Sequence, residues 1–247
     1  MEKINSKKKI FAIATAVISV AIVLSVLFLL LVFSKVIKLN EPQKSGYTVK
    51  GADVSEYQGK IDWNVFSENL DFVFIKASEG SEYTDSCFKY NIENALKTDV
   101  KVGAYHFFSF ESSGKAQADN FISNVKKHEN MLPPVIDVEF YGEFKSNPAD
   151  KKKVVENVRA MADILYEYYG KKPIIYCTGK AYSYYIKGNF DDCGLWLRNV
   201  YFSADRQTKD WDFWQYSDTE IIDGYKGEEK YIDMNVFKGT TDELNNM

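Results

Sequence analysis

The stretch LPPVIDVEFYG, residues 132–142, places two acidic side chains within an apolar run that follows two prolines. If the run is a β-strand, alternate side chains share a face, so Asp137 and Glu139 lie on the same face as Val135. Two carboxylates this close resist ionising together, and one of them tends to keep its proton. A structural strand gains nothing from such a pair, whereas a site that needs one acid and one base does.

Apolar runs of strand length alternate with helical patterns from residue 49 onward. The clearest helical pattern covers residues 149–170, where an apolar i, i+3, i+4, i+7 stripe runs up to Gly170. Residues 86–99 and 114–130 show similar patterns. Strands alternating with helices in this way predict parallel pairing and an α/β fold. The predicted strands are residues 50–57, 71–78, 101–110, 133–140, 173–179, 195–200, 212–217 and 231–237.

The last three predicted strands follow one another more closely than the earlier ones. About 11 residues separate the sixth from the seventh, and about 13 separate the seventh from the eighth. A parallel crossover needs about a dozen residues at the least, and usually more. We therefore expect hairpins and at least partly antiparallel pairing at this end. The predicted fold is an irregular eight-stranded TIM-like barrel, with about five β/α units followed by three strands.

Residues 10–33 form a run of 24 residues without a charged side chain. As a helix this run is about 36 Å long, enough to cross a hydrocarbon core of about 30 Å. The alternative is a cleaved signal peptide, whose apolar region usually covers only about 7–15 residues and ends near a small-residue cleavage site. No such site follows Phe33. A transmembrane signal anchor is therefore the better interpretation.

The lysines that flank this run predict its orientation. Four of them precede it, at positions 3, 7, 8 and 9, and two follow it, at positions 35 and 38. This bias favours a cytoplasmic N-terminus and an extracytoplasmic location for the rest of the chain. The expected organisation is a cytoplasmic tail over residues 1–9, the anchor over 10–33, a polar linker over 34–48 and the barrel over 49–247.

Composition limits the partners of the barrel. Residues 42–247 carry 25 basic and 33 acidic side chains, a balance of −8. A domain this acidic, without a basic cluster, is a poor nucleic-acid binder, so we expect no nucleic-acid partner. Three widely spaced cysteines do not form a disulfide framework, although one bridge stays possible. The chain has two histidines, and we expect no metal site and no cofactor.

In such barrels the chemistry lies at the C-terminal ends of the strands. Charged, amide and aromatic side chains recur there along the predicted strands, and four acids among them are placed to converge on one cavity. The candidate catalytic residues are Glu139, Asp137, Asp53 and Asp233. The candidate substrate-binding residues are Lys76, Glu79, Tyr105, His106, Tyr176, Trp196, Trp214, Gln215 and Asn235.

Several of these residues also have a plain structural interpretation. Asp53 is equally suited to capping a turn. His106, which lies between two aromatic residues, belongs to a type that is more often hydrogen-bonded in a core than catalytic. Trp214 lies in the aromatic segment DWDFWQYSD, where core packing is the usual role, although sugar rings also stack on tryptophan. Asp233 stands alone in an apolar run, which favours a position in a cavity wall.

Seven short segments carry a family resemblance: GADVSEYQGKIDW (51–63), FVFIKASEG (72–80), VGAYHFF (102–108), PPVIDVEF (133–140), PIIYC (173–177), FWQYS (213–217) and IDMNVF (232–237). In this order they resemble the strand motifs of glycoside hydrolase family 25, the N-acetylmuramidase lysozymes, over residues 50–238. The resemblance implies cleavage of the β-1,4 bond from N-acetylmuramic acid to N-acetylglucosamine in peptidoglycan. It also implies that Glu139 is the proton donor and that Asp137, Asp53 and Asp233 are the other active-site acids.

The chain departs from the family pattern at Arg198 and Asn199, where similar proteins often have a small residue and then other side chains after the tryptophan. A family 18 chitinase also ends a strand in D-x-E, but its longer pattern requires acids where this chain has Leu132 and Val135. The role of Asp137 stays open between stabilising positive charge and holding the acetamido group of the substrate.

The expected partners are glycan strands of peptidoglycan and, through the N-terminal helix, the membrane. The main functional alternative is a non-catalytic, membrane-tethered wall-binding module, and another is an anchored structural scaffold. Neither alternative requires four convergent carboxylates.

Overall fold

The computed structural model of the chain describes residues 2–247, with the side chains of residues 9–43 and 46–247. The chain divides into two compact units, with the boundary between Leu39 and Asn40. The first unit is dominated by one long helix, and the second contains every strand.

The long helix, α1, covers Glu2–Phe33. Its segment Lys9–Phe33 is long and apolar enough to cross a membrane, and signal sequences meet the same criteria of length and composition. The helix extends well before residue 10, into the expected cytoplasmic tail. The side chains of Lys3, Lys7 and Lys8, which carry the predicted orientation, lie outside the described ones.

The second unit is a barrel that closes on itself. Eight strands pair in the order β1-β2-β4-β5-β6-β7-β8-β9, and β9 returns to β1. The short β3 pairs with the end of β2 outside this ring. All eight predicted strands are confirmed. The bounds are β1 (Val49–Val54), β2 (Phe72–Glu79), β3 (Tyr83–Thr84), β4 (Lys101–Phe107), β5 (Val135–Val138), β6 (Ile174–Thr178), β7 (Gly194–Arg198), β8 (Phe213–Glu220) and β9 (Ile232–Phe237).

The barrel is mixed, as predicted, but the change of direction comes one strand later than expected. Every barrel pair from β1 to β8 is parallel, and β9 is antiparallel to both β8 and β1. The hairpin expected between β7 and β8 is therefore wrong, because Trp196 pairs with Phe213 in parallel register. The connection, residues 199–212, is long enough for a parallel return, and it uses the 3₁₀ turn Ala204–Arg206 in place of a helix.

Helices cover the outside of the barrel. The predicted helix after β5 is confirmed as α5, which Asp150 caps at its N-terminus and Gly170 ends in a left-handed conformation with φ 74°. The helix after β4 ends earlier than predicted, because Val125 adopts an extended conformation. The bounds are α2 (Trp63–Phe66), α3 (Phe88–Ala95), α4 (Gly114–Asn124), α5 (Lys151–Tyr169), α6 (Gly179–Ala181) and α7 (Thr241–Asn245).

Large aromatic side chains fill the barrel interior beneath its C-terminal mouth. Phe74 stacks on Trp196 with ring centroids 4.6 Å apart, and Phe213 packs edge-on against Phe74 at 5.2 Å. Glycines on the neighbouring strands make room for them. A Cβ at Gly103 would lie 2.3 Å from the ring of Phe74, so only glycine fits there. The closed floor restricts any ligand to the mouth.

Residues 40–48, the second half of the expected linker, belong to the compact unit of the barrel. The buried Asn40 side chain donates from Nδ2 to the carbonyl oxygen of Tyr216 at 2.5 Å. Tyr47 packs edge-on against Trp211 with ring centroids 4.9 Å apart. These contacts hold this short segment, hereafter the strap, against the side of the barrel.

Candidate active site

A polar cavity of about 240 Å³ opens at the C-terminal mouth of the barrel. All four candidate acids lie in its wall. The other predicted residues in the wall are Lys76, Tyr105, Tyr176, Trp196 and Gln215. The alternation of each strand explains this convergence, because residues such as Asp137 lie two positions beyond an interior residue such as Val135.

The strand β5 brings the acid pair to the mouth. Asp137 lies within the strand, is 6% exposed, and has one buried carboxylate oxygen, Oδ1, with no hydrogen-bond partner among the residues whose side chains are described. Glu139 is the first residue beyond Val138, the last residue of the strand, and is half-buried. A buried acceptor without a donor is costly in a folded protein, so Oδ1 is available for a hydrogen bond from a ligand.

A network of amides holds the opposite side of the mouth. Asp53 Oδ2 accepts hydrogen bonds from Asn235 Nδ2 at 2.7 Å and from Gln215 Nε2 at 2.9 Å. Gln215 Nε2 also lies 3.3 Å from Asp233 Oδ2, and its Oε1 accepts a bond from the hydroxyl of Tyr176 at 2.9 Å. Because each amide is fixed on both sides, the two aspartates are held in defined positions before any substrate binds.

Burial raises the pKa of the two aspartates on this side. Burial, partly offset by the Asn235 and Gln215 donors, raises the pKa of Asp53 to about 6. Burial and then the charge of Asp53 raise the pKa of Asp233 to about 8. At neutral pH Asp53 is therefore mostly ionised, whereas Asp233 mostly carries its proton.

The acid pair on β5 is also shifted toward the protonated form. Burial and then the charge of Glu139 raise the pKa of Asp137 well above its usual range, against the opposing charge of Lys76. Burial raises the pKa of Glu139, and the positive charges of Arg198 and Lys145 oppose it. Both shifts favour the protonated form, and for Asp137 the neighbouring charge of Glu139 adds to the effect of burial, in the sense that the spacing of the two acids predicts.

Two of the predicted binding residues point away from the mouth. His106 is fully buried between β4 and α4, where Nδ1 lies 2.8 Å from Ser78 Oγ and Nε2 lies 3.1 Å from Gln117 Oε1. Burial lowers its pKa to about 4, so it is neutral. Trp214 is buried in the outer layer and donates to the carbonyl of Asn199 at 2.9 Å. Both residues therefore serve the packing of the barrel.

The other two predicted residues support the cavity wall without forming it. Asn235 is fully buried behind Asp53, and its Oδ1 accepts a hydrogen bond from Trp196 Nε1 at 2.8 Å. Glu79 pairs with Lys76, with Nζ and Oε2 2.7 Å apart. Each of them fixes a residue that does reach the cavity.

Sequence reasoning missed the part of the wall that comes from loops. Ser55, Tyr57 and Gln58 follow β1, and Glu229 comes from the connection between β8 and β9. The two loops are joined, because the Glu229 backbone N–H donates to the carbonyl of Tyr57 at 3.1 Å. No strand period marks Gln58 or Glu229. Alternation with Asp53 in the predicted strand 50–57 would have indicated Ser55 and Tyr57, and alternation with Tyr105 would have indicated Phe107.

The comparisons with known proteins identify the family. A model of glycosyl hydrolases family 25 matches residues 52–225. The chain belongs to glycosyl hydrolase family 25. A solved family 25 glycosyl hydrolase from Bacillus anthracis is 47% identical with a TM-score of 0.77, over 81% of this chain and 94% of that chain.

Two curated relatives match most of the chain. The protein YegX of Escherichia coli K12 is 34% identical over 207 residues, which are 81% of this chain and 73% of YegX. Lysozyme M1 of Streptomyces globisporus is 32% identical over 219 residues, which are 79% of this chain and 70% of that lysozyme. The family 25 chain is thus a glycoside hydrolase, and the predicted enzyme class and barrel fold are confirmed.

Proposed function

We propose that this family 25 enzyme hydrolyses peptidoglycan at the β-1,4 bond from N-acetylmuramic acid to N-acetylglucosamine, with Glu139 as the proton donor. One observation carries the proposal: an acid pair, whose burial favours the protonated form, lies with two further acids in the wall of the cavity at the mouth of the barrel. The similarity to a lysozyme supports the choice of substrate.

Glu139, rather than Asp137, is the acid in this scheme because it is the more exposed of the two carboxyl groups. It is half-buried beside the cavity, whereas Asp137 is almost fully covered. As the bond between the anomeric carbon and the glycosidic oxygen breaks, Glu139 donates its proton to that departing oxygen. After water attacks the anomeric carbon, Glu139 takes a proton from the water and is ready for the next cycle.

Asp137 is assigned to the acetamido group of the muramic acid. Its unpaired Oδ1 accepts the N–H of that group, which turns the acetamido carbonyl oxygen toward the anomeric carbon. The new bond lowers the pKa of Asp137, so the proton of the pair moves to Glu139 when substrate binds. The carbonyl oxygen then forms a transient bond to the anomeric carbon, and water breaks that bond in the second step.

The opposite wall stabilises the positive charge that develops on the sugar ring. Asp53 is mostly ionised at neutral pH and is held by two amide donors, so it presents a fixed negative charge. Asp233 mostly carries its proton and is therefore able to donate a hydrogen bond to a sugar hydroxyl.

The replacement of Glu139 by glutamine tests the assignment. Glu139→Gln keeps the size of the side chain but cannot deliver a proton, and we expect a loss of at least about 10²–10⁴-fold in the release of reducing ends from purified peptidoglycan. Glu143→Gln is the matched control, because Glu143 is exposed in the following 3₁₀ turn. Mass spectrometry of the products should show muramic acid at the reducing end. Near-full activity of Glu139→Gln, or glucosamine at the reducing end, would refute the proposal.

We further propose that residues 10–33 anchor the enzyme in the membrane, with the N-terminus cytoplasmic and the barrel outside. Because the strap belongs to the barrel unit, residues 34–39 are left as the tether. Six residues reach about 20 Å when fully extended. The enzyme would then act on glycan close to the membrane. A soluble form cut within residues 34–39 should digest wall material that the anchored form does not reach, and equal digestion by both forms would contradict this.

A further inference from the structure

Arg198 is a second cation at the end of the barrel that carries the four acids, in addition to Lys76 in the cavity wall. It is the last residue of β7 and lies two positions beyond Trp196, so its side chain leaves the strand toward the interior of the barrel. Its Cα pairs with that of Thr178 on β6 and with that of Gln215 on β8. It therefore lies in the layer directly over Trp196, at the level of the Gln215 amide that binds Asp53.

One ion pair fixes the guanidinium and leaves most of it unused. Arg198 donates from one terminal nitrogen to Asp218 Oδ2 at 2.9 Å, and the two side chains are 31% and 18% exposed. Among the residues whose side chains are described, this is its one hydrogen bond. A guanidinium has five N–H donors in a planar fork, so several donors stay available to a ligand.

The charge of Arg198 affects three of the four acids in the cavity wall. The positive charge of Arg198 lowers the pKa values of Asp53, Glu139 and Asp233, which agrees with its place in the layer of Gln215. Lys76, the other cation at the mouth, is already paired with Glu79. Arg198 therefore weakens the repulsion that the four acids of the cavity exert on an anionic substituent of a substrate. Arg198 creates a local positive region beside the proposed proton donor, half-exposed and already oriented by Asp218.

We propose that Arg198 is a specificity-determining residue that binds a carboxylate carried by the muramic acid unit of the substrate. This inference rests on the proposed function. Muramic acid has two sources of such a group: its own lactyl carboxylate, which is free when the stem peptide is absent, and the carboxylates of the stem peptide. Arginine binds a carboxylate through two parallel hydrogen bonds, which gives geometric selectivity that a point charge lacks.

Three glycans distinguish these sources in assays of the detergent-solubilised full chain. They are stem-bearing peptidoglycan, the same glycan stripped of its stems by an amidase, and the stripped glycan with its carboxylates converted to methylamides. We expect Arg198→Gln to lose about ten-fold or more in kcat/KM, mainly through KM, on the substrates that carry the recognised carboxylate. Wild type and Arg198→Gln should act equally on the methylamide glycan. A loss on the stripped glycan identifies the lactyl carboxylate as the recognised group, and a loss on the stem-bearing glycan identifies a carboxylate of the stem peptide.

Two further variants separate recognition from charge balance. Arg198→Lys keeps the charge but not the fork, and it should recover only part of the loss. Arg206→Gln removes the same charge from an exposed arginine that stacks on Phe202 away from the cavity, and it should match the wild type. An equal loss on all three glycans would show that Arg198 only balances the buried acids, and no loss on any would also overturn the proposal.

The wild type alone supplies a test if a variant fails to fold. It should prefer a carboxylate-bearing glycan to the methylamide glycan, and the absence of any preference would refute the assignment. Calorimetric binding of the three glycans gives the same comparison without turnover. A wild type that binds selectively but releases no reducing ends would refute the proposed function and leave the recognition by Arg198 in place.

Discussion

Asn235 connects the aromatic floor of the barrel to its acidic mouth, and its replacement by leucine should destabilise the protein in a pH-dependent way. The side chain is fully buried, its Oδ1 accepts from Trp196 Nε1 at 2.8 Å, and its Nδ2 donates to Asp53 Oδ2 at 2.7 Å. Leucine has a similar volume, so Asn235→Leu removes both hydrogen bonds without opening a large cavity.

The magnitude follows from the two lost bonds. A buried indole N–H without an acceptor costs about 1–3 kcal/mol, and a hydrogen bond to an ionised carboxylate contributes about 1.5–3 kcal/mol. At pH 8, where Asp53 is ionised, the free energy of unfolding should fall by about 2.5–6 kcal/mol. At pH 5, where Asp53 is mostly protonated, the second bond is between neutral groups and contributes about 0.5–1.5 kcal/mol, so the total loss should be about 1.5–4.5 kcal/mol.

The sign of the pH dependence depends on the pKa of Asp53. That pKa is about 6 in the folded protein, higher than the value of about 3.9 in an unfolded chain, so ionisation of Asp53 removes stability as the pH rises through this window. The Asn235 donor lowers the folded pKa. Asn235→Leu therefore raises it further, and the additional destabilisation appears as the pH rises beyond about 6.

A second buried asparagine provides a matched control. Asn91 is fully buried, and its Oδ1 accepts from Trp63 Nε1 at 3.2 Å and from the Ile61 backbone N–H at 3.1 Å, with no carboxylate in this set. Urea unfolding of the detergent-solubilised chain should show a similar loss for Asn91→Leu at pH 5 and pH 8. If the loss for Asn235→Leu is no larger at pH 8 than at pH 5, the proposed coupling to Asp53 is wrong.

Three further outcomes are expected. In Asp137→Asn the high-pH limb of kcat/KM should move to lower pH, because Glu139 then has no neighbouring negative charge to raise its pKa and loses its proton more easily. An unmoved limb would show that burial alone sets the pKa of Glu139. His106→Gln should lower the midpoint of thermal unfolding while kcat stays within about two-fold, and a large loss of kcat in the folded variant would contradict its packing role. Protease added to intact wall-stripped cells should digest the barrel, and protection until lysis would reverse the proposed orientation.

The period of the strands made much of the site predictable. Two-residue alternation placed Asp137 and Glu139 on one face, and the order of strands and helices indicated a barrel whose mouth collects such residues. The same alternation also shows that Tyr105 and His106 should not both have been predicted as binding residues. Tyr105 and His106 are adjacent in one strand, so only one of them is able to face the cavity. Since both faces of a barrel strand are buried, the apolar pattern did not distinguish the inner face from the outer one.

The chain by itself therefore determined the number and order of the barrel strands, the apolar N-terminal helix and the residue types at the mouth, because these depend on local period and composition, whereas the short β3 was not predicted. The tertiary structure alone decided the rest. The parallel return of β8, the loop position of Glu229 and the packing of the strap depend on contacts between distant segments. So does the network in which Gln215 and Asn235 hold Asp53, since Asp53 is more than 150 residues from either amide along the chain and meets them only when the barrel closes.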